Sequence, residues 1–437
     1  MEIANPVTHS ALDFFEKPSV LINYEGAYDQ EVFPHVGCRG PQLDFFIAAE
    51  AKNLIDLNRI QLSVEVGIYH EDGKTKAKPG DFDVVFSNNT LHTLFSHAEL
   101  YLNEKLISHS NNCYLHSAFV ETELTTDTDS KESWAKCQGY NYLAKMEDKE
   151  EMHDELATAF SNQKDCKMQL YGALHLDFLD CEKLLLPNVT LHVRLYRAPN
   201  NTLLYLNGTD EQAKTLDGKV LAIVEKASLF VRKVVVTDSV KLSIEKALVK
   251  SDAIYPYIES LNKSFIIQAG QNCFIKENVF GTEPIRRLTL CMVKNSLFRS
   301  TPLNETPFSY QKFCLQRVEI QRGNGVPLAG TPLDTTNNVR LYYNTITALG
   351  FNKKSNGIKL EDYEQNHFFL VFDLTSTEEA SKNLTLFPEF TGSSLTLKLY
   401  FEKALDHAIE LFLIGERFSQ VFIDSSRNIK KNNPFDG

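Results

Sequence analysis

The sequence predicts an all-β chain made of two tandem sandwiches of the Greek-key or jelly-roll kind. Three observations carry that reading. Apolar and polar residues alternate with a period of two over many short segments, and successive side chains of a strand point to opposite faces of a sheet. Turn signals separate the segments, with little helical pattern between them. The second half also spells the same ordered strands as the first, offset by roughly 190–220 positions. The 29 Phe and 17 Tyr, against a single Trp (Trp134), agree with a strand-rich chain.

Residues 1–35, with Pro6, Pro18 and Pro34, read as an irregular N-terminal arm. The first sandwich is predicted over 36–238. It opens with LDFFIAAE (Leu43–Glu50), and Ile60, Leu62, Val64, Val66 and Ile68 then form an alternating strand. A Gly/Lys/Pro loop (Glu71–Asp81) leads to the Leu94–Ile107 strand, which turns at Asn103-Glu104. Residues 121–166 change character. TTDTDSKES is polar, and Met152, Leu156, Ala159 and Phe160 recur at helical spacing. The segment is expected to be an insertion with one or two helices riding on the barrel, outside its core. Strands resume at Met168, and YGALHLDFLD follows around Asp177. Val189, Leu191, Val193 and Leu195 then alternate, and Ala222-Ile223 opens a long strand to Val236.

Around Asp238–Lys250 the first half passes into the second with no Gly/Ser linker, so the two sandwiches should pack side by side. The second is predicted over 239–430, with a tail at 431–437. Its strands are expected near 264–275, 285–294, 309–322, 338–350, 367–375, 394–402 and 406–423. Val318-Glu319-Ile320 answers Ala98-Glu99-Leu100, and its turn is Gly323-Asn324-Gly325. FFLVFDLTST around Asp373 answers the Asp177 segment. Leu395, Leu397, Leu399 and Phe401 answer the Val189–Leu195 alternation, and Ala408-Ile409 opens the long strand to Ile423. Four matched segments in one order mean a duplicated β-domain.

Composition narrows the function. With 45 Lys and Arg against 57 Asp and Glu, the net charge is −12, so a sequence-specific nucleic-acid partner is not expected. The basic clusters Lys74-Thr75-Lys76-Ala77-Lys78 and Arg427 with Lys430-Lys431 sit beside turn or terminal signals and read as solvated loops. MEIANPVTHS is no secretory signal, and no apolar stretch approaches the roughly 20 residues that span a bilayer, so neither secretion nor membrane insertion is expected. The sequons at Asn188 and Asn383 accordingly carry little weight. None of the eight cysteines forms a C-x-x-C pair; Cys291 and Cys314 read as small buried hydrophobes, and reduced thiols are expected.

Catalytic signals are missing. The phosphate-binding GxxxxGK[ST] and GxGxxG loops and the GxSxG nucleophile elbow do not occur. The nearest histidine group is His92, His97, His109 and His116, and His92 and His97 should point to opposite faces, which argues against a metal site. His175-Leu176-Asp177 puts a His and an Asp on one strand face, but Val371 stands where the repeat would need the histidine. Asp177 therefore reads as a structural turn residue. Phe368, Phe369 and Phe372 read as core, not as a stacking platform. No catalytic residue, cofactor or metal is expected. The rival is a tandem β-sandwich carbohydrate-binding protein or glycoside hydrolase; it needs aromatic platforms and paired acids in a cleft, which the sequence does not signal.

Specific strings resemble the major capsid proteins of Polinton/Maverick elements and adinto-type viruses. In LFSHAELYLNEKLISHSNNCYLHSAFVETEL, Tyr114, Ala118, Phe119, Glu121 and Thr122 fit the family pattern, while Glu104 stands where Gly is usual. YGALHLDFLDCEKLLLPNVTLHVRLYRAPN, Pro284 with Arg286, Thr306-Pro307-Phe308-Ser309-Tyr310, FDLT and FIDSSRNI follow in the family's order over roughly residues 12–430. The resemblance implies a double jelly roll, two tandem eight-stranded barrels. It also implies homotrimers with a pseudo-hexagonal outline tiling an icosahedral shell around a DNA genome, with a penton or minor capsid partner. The location it implies is the virion capsid, assembled in the host nucleus or cytoplasm. Loops at 71–91 and 121–166, with parts of 296–307 and 351–366, would form the outward tower.

Overall fold

The computed structural model describes residues 24–432 apart from 79–80, 143–148, 162–166, 300, 324, 352–353, 365, 376, 378–379 and 381–393. In the first half the strands are β1 (Tyr24–Val32), β2 (Gln42–Ile47), β3 (Asn53–His70), β4 (Val84–Phe86), β5 (Phe95–Leu102), β6 (Lys105–His109), β7 (Lys167–Ala173), β8 (Leu191–Arg197), β9 (Leu204–Leu206) and β10 (Val220–Val236). In the second they are β11 (Ala253–Ile267), β12 (Cys273–Lys276), β13 (Arg287–Lys294), β14 (Leu315–Arg322), β15 (Leu333–Asp334), β16 (Phe369–Asp373), β17 (Leu395–Phe401), β18 (Ile409–Ile423) and β19 (Ile429–Asn432).

Pairing confirms the duplication. The first half has sheets β1-β10-β3-β7 and β2-β8-β5-β6, and the second has β11-β18-β13-β16 and β12-β17-β14-β15. With the small β4-β9 ribbon set aside, and also β19, which pairs with the end of β18, each half numbers its eight strands so that the sheets run 1-8-3-6 and 2-7-4-5. That crossing pattern is a jelly roll. The chain is therefore a double jelly roll. Inward residues such as Leu43, Phe45, Leu100 and Val193 in one barrel, and Val318, Leu397 and Leu411 in the other, are fully buried and belong to one contiguous apolar cluster.

Helices fill the connections: α1 (Thr90–Thr93), α2 (Tyr114–Thr125), α3 (Thr128–Glu132), α4 (Lys149–Ser161), α5 (Asn200–Leu203), α6 (Asp210–Leu216), α7 (Asp238–Leu248), α8 (Asn295–Phe298) and α9 (Asn338–Ala348). The linker-free junction at Asp238–Lys250 is α7, whose Val240 and Ile244 pack on Leu54, Val234 and Val236.

Several expectations change. The arm at 1–35 holds β1, the first strand of the first barrel, paired along its length with β10; residues 1–23 lie outside the described residues. The tail at 431–437 begins inside β19. The expected strand near 338–350 is helix α9: Val339, Leu341 and Tyr343 imitate a period of two, but Leu341, Thr345 and Ala348 are the buried face, at helical spacing. Asn337 starts the helix by accepting a hydrogen bond from the Arg340 amide at 3.1 Å. The expected strand at 264–275 is the end of β11, a turn, and β12. Cys314 is exposed just before β14, not buried, whereas Cys291 is buried. The turn at Asn103-Glu104 forms as expected, with both residues at positive φ, 44° and 67°.

The 121–166 stretch is corrected most. Its first helix starts at Tyr114, and Tyr114, His116, Phe119 and Val120 are buried. It belongs to the core between the barrels. Only α4, through Met152 and Leu156 against Val85 and Tyr205, rests on a separate small cluster.

Candidate functional site

The sequence put forward no catalytic constellation, and the most elaborate side-chain chemistry lies at the seam between the barrels. Helix α2 is buried on nearly all sides, as a helix wedged between two layers must be. His116 faces the second barrel. Its Nε2 donates to the Phe298 carbonyl at 2.8 Å, so its Nδ1 accepts from the Tyr310 hydroxyl at 2.9 Å. Burial pushes this imidazole down to about 4, which keeps it neutral. Its ring stacks on Phe298 with centroids 4.1 Å apart, and Phe119 stacks on Phe308 at 4.0 Å.

In α3 the fully buried Lys131 spends its three protons on the Glu123 carboxylate (2.8 Å), the Glu123 carbonyl (2.9 Å) and the Asn356 carbonyl of the second barrel (2.7 Å). The Tyr140 hydroxyl donates to the other Glu123 oxygen at 2.6 Å. Burial works against the Glu123 charge, but Lys131 outweighs it and holds the carboxyl below its usual range. Every polar atom of this buried pair has a partner, the condition under which a buried charge is tolerated.

Beside α2 lies a cavity of about 260 Å³ with Glu121, His175, Asp177 and Asp180 on one wall and Arg287 and Glu416 on the other. His175 Nδ1 is 3.0 Å from Glu121. Arg287 forks onto Glu416 through Nε at 2.8 Å and Nη2 at 2.5 Å. Asp177 accepts from the Ser260 amide at 3.0 Å, tying the first barrel to β11. Burial raises Asp177 well above the carboxylate range, and burial with the Glu121 charge pushes Asp180 up to about 7. Burial pulls His175 down, but Glu121, with Asp180 and Asp177, outweighs it and raises the ring's pKa.

Thr122 Oγ1 sits 3.5 Å from His175 Nε2, so a Thr–His–Glu line exists on paper. It is not built for nucleophilic attack. The Thr122 hydroxyl is buried and donates to the Ala118 carbonyl at 2.8 Å, and a raised His175 pKa favours the imidazolium, the wrong form for a general base.

The other singled-out residues are dispersed. His92 is buried in α1 between Tyr114 (3.1 Å) and Gln138 (3.3 Å). His97 lies on β5 against Ser110 and Glu99. Asp177 and Asp373 are both structural but not equivalent. Asp373 ends β16 and accepts from the Thr375 and Ala380 amides, whereas Asp177 opens a helical turn past the end of β7, off the strand face expected for it. Phe368, Phe369 and Phe372 are buried core. Among the described residues no group of three His, Cys, Asp or Glu could hold a metal. No described helix is long and apolar enough to cross a membrane. The repeated acids Glu99 and Glu319 lie opposite Arg194 and Lys398 on neighbouring strands, one ladder in each barrel.

Sequence reasoning did not single out Lys131 or assign His116 to the seam. A signal was present: the strings that carry the capsid resemblance meet there. Phe119 of one touches Phe308 of another, and Arg427 of the closing string donates to the Pro187 carbonyl at 2.9 Å.

No protein-family model matches the chain, and no curated protein is similar to it in sequence. Solved structures do match. The Sputnik virophage structure, from cryo-electron microscopy, superposes with a TM-score of 0.65 at 11% identity, covering 100% of this chain and 94% of the other. The Faustovirus major capsid protein gives 0.60 at 8%, covering 96% and 95%. The mavirus major capsid protein gives 0.57 at 11%, covering 99% and 96%. At such identities the likeness is one of fold, and it runs the length of both chains: the double jelly roll read from the strand order is the architecture of these shell proteins.

Proposed function

We propose that this chain is a major capsid protein of the Polinton/Maverick and adinto-type class, acting as a shell subunit and not as an enzyme. The observation that carries the reading is the repeated 1-8-3-6 and 2-7-4-5 strand order in one polypeptide, joined to full-length fold likeness with viral shell proteins. Three copies place six similar barrels around a threefold axis, giving a near-hexagonal block that tiles a closed icosahedral shell. In this reading the seam described above is scaffolding that locks two barrels into one wedge. The net charge of −12 suits a shell that encloses DNA without gripping it. Its partners are further copies of itself and a penton or minor capsid protein, and its place is the virion.

The test is sedimentation and negative-stain microscopy of the purified chain. The expected result is a particle of three times the 49.6 kDa chain mass with a hexagonal outline. A monodisperse single chain at all concentrations, or a particle without that outline, would sink the proposal.

A further inference from the structure

Two surfaces are buried once within the chain and left open once, and the open copies fit each other. The first is the edge of the leading strand. In the second barrel β11 pairs with β18 on one side, and the first barrel caps its other side at alternating residues. Lys183 Nζ donates to the Ile254 carbonyl at 2.7 Å and Cys181 Sγ to the Pro256 carbonyl at 3.5 Å. The Ser260 amide donates to Asp177 at 3.0 Å, and Asn111 Nδ2 donates to the Asn262 carbonyl at 3.2 Å. In the first barrel the matching strand, β1, pairs with β10. Among the described residues no strand pairs with its other edge, and Tyr24–Asp29 are all exposed. An uncapped edge of that length is a template for docking.

The second surface is a helix face. Helix α2 follows the fifth strand of the first barrel, and α9 follows the fifth strand of the second. Phe119 stands six residues past the N-cap Cys113, and Tyr343 six past the N-cap Asn337. Phe119 is 0% exposed because it stacks on the other barrel. Tyr343 is 64% exposed and Val339, one turn before it, 62%. The first barrel thus offers its helix to the second within the chain, whereas the Val339–Tyr343 face of the second barrel's helix is open among the described residues.

We propose that the exposed face of α9 on one copy and the bare β1 side of the first barrel on another copy are the two halves of one head-to-tail contact. It repeats between chains the seam that already exists within each chain. The inference rests on the shell-subunit reading and deepens it by naming the surfaces. Because the two surfaces differ, the contact is heterologous, and a ring closes when three copies alternate the six barrels.

The experiment compares the wild type with two double variants, Val339→Glu with Tyr343→Glu, and Tyr24→Glu with Tyr28→Glu, by sedimentation velocity, each checked for unchanged circular dichroism and melting. The wild type should sediment as three chains and each variant as one. An equimolar mixture of the two variants should form a two-chain complex, because each retains the surface the other lacks. A wild type that is itself a single chain overturns the shell reading as well. A trimeric wild type whose variants stay trimeric overturns only the surfaces named here, and a mixture that stays monomeric overturns the head-to-tail geometry. Hydrogen exchange on the wild type gives a check that needs no variant. The alternate Tyr24–Asp29 amides that point away from β10 should exchange slowly in the assembled particle and rapidly in dissociated chains, and rapid exchange in both overturns the β1 side.

Discussion

The two barrels share eight strands and one pairing order, yet they differ in what surrounds those strands. The first carries a long helical excursion between its fifth and sixth strands, and α2 from that excursion is buried against the second barrel. The second carries α9 at the same point, with its outer face open. Among the described residues nothing pairs with the outer edge of the first barrel's leading strand, whereas the second's is capped by four side chains of the first barrel. Duplication supplies equivalent elements, and covalent linkage lets only one of each pair find its partner inside the chain. In the proposed assembly, differences of burial between equivalent positions mark where one chain ends its own packing and another begins.

The comparison can be broken most sharply at Lys131. Lys131→Met leaves the Glu123 carboxylate buried without its cation, and about 3–5 kcal/mol of stability should be lost. The check is chemical denaturation, alone and in a cycle with Glu123→Gln. The double variant should recover part of the loss, because both charges are then gone.

The next test sets the equivalent helix positions against each other. Phe119→Ala removes a buried ring stacked on Phe308 and should cost about 3–4 kcal/mol. Tyr343→Ala, six residues past its own cap but exposed, should stay within about 0.5 kcal/mol when the single chain is unfolded in denaturant. Equal losses at both sites would mean that α9 is already packed within its own chain, and the contrast drawn here would fail.

A smaller effect is expected at Gly357, at φ +86°, where an added Cβ would lie 2.5 Å from the Tyr142 ring. The Tyr142 hydroxyl donates to the Gly357 carbonyl at 2.8 Å across the seam. Gly357→Ala should cost about 1–3 kcal/mol through the left-handed backbone and the displaced ring, read as a lowered melting temperature. Gly270, also at positive φ but with open space around it, should cost less on the same change.

The strands were legible because alternation is a local property: Val193, Leu195, Leu397 and Leu399 fall on the buried face wherever the repeat is read. What sequence hid was tertiary. β1 (YEGAYDQEV) has no apolar alternation and is a strand because β10 offers it an edge. Helix α9 has apolar residues at strand-like spacing (Val339, Leu341, Tyr343), and only its cap and its packing against the second barrel decide for helix. The seam was hidden for the same reason. His116 and Tyr310 lie far apart in sequence, and Lys131, though close to Glu123, finds the Asn356 carbonyl only once the barrels are side by side. The strings of the capsid resemblance hold His116 and Tyr310 and converge there, but none of them reaches Lys131.

The smallest expected effect is a pH dependence seated in the seam cavity, and its sign follows from three groups. Asp180, pushed up to about 7 when folded, costs nothing while protonated and becomes a burden as pH rises from its unfolded value, near 4, through 7. His175, raised above its usual value by Glu121, stabilises the fold below about pH 6.5, and that contribution is lost as pH rises through its higher folded value. Glu121, held below its usual range despite burial because His175 and Arg287 face it, contributes stability that is lost only on acidification below about pH 4.5. Between pH 5 and 8 the first two effects point the same way, so the cavity's own contribution falls as pH rises, against the opposite trend from the buried His116, whose pKa burial holds down to about 4. The change should be about 1 kcal/mol or less, because Asp180 faces a water-accessible cavity that screens it. Asp180→Asn should shift the slope of melting temperature against pH in the positive direction over this window, and His175→Gln should shift it the same way. A slope unchanged in both variants would show that the cavity groups contribute nothing to the pH dependence.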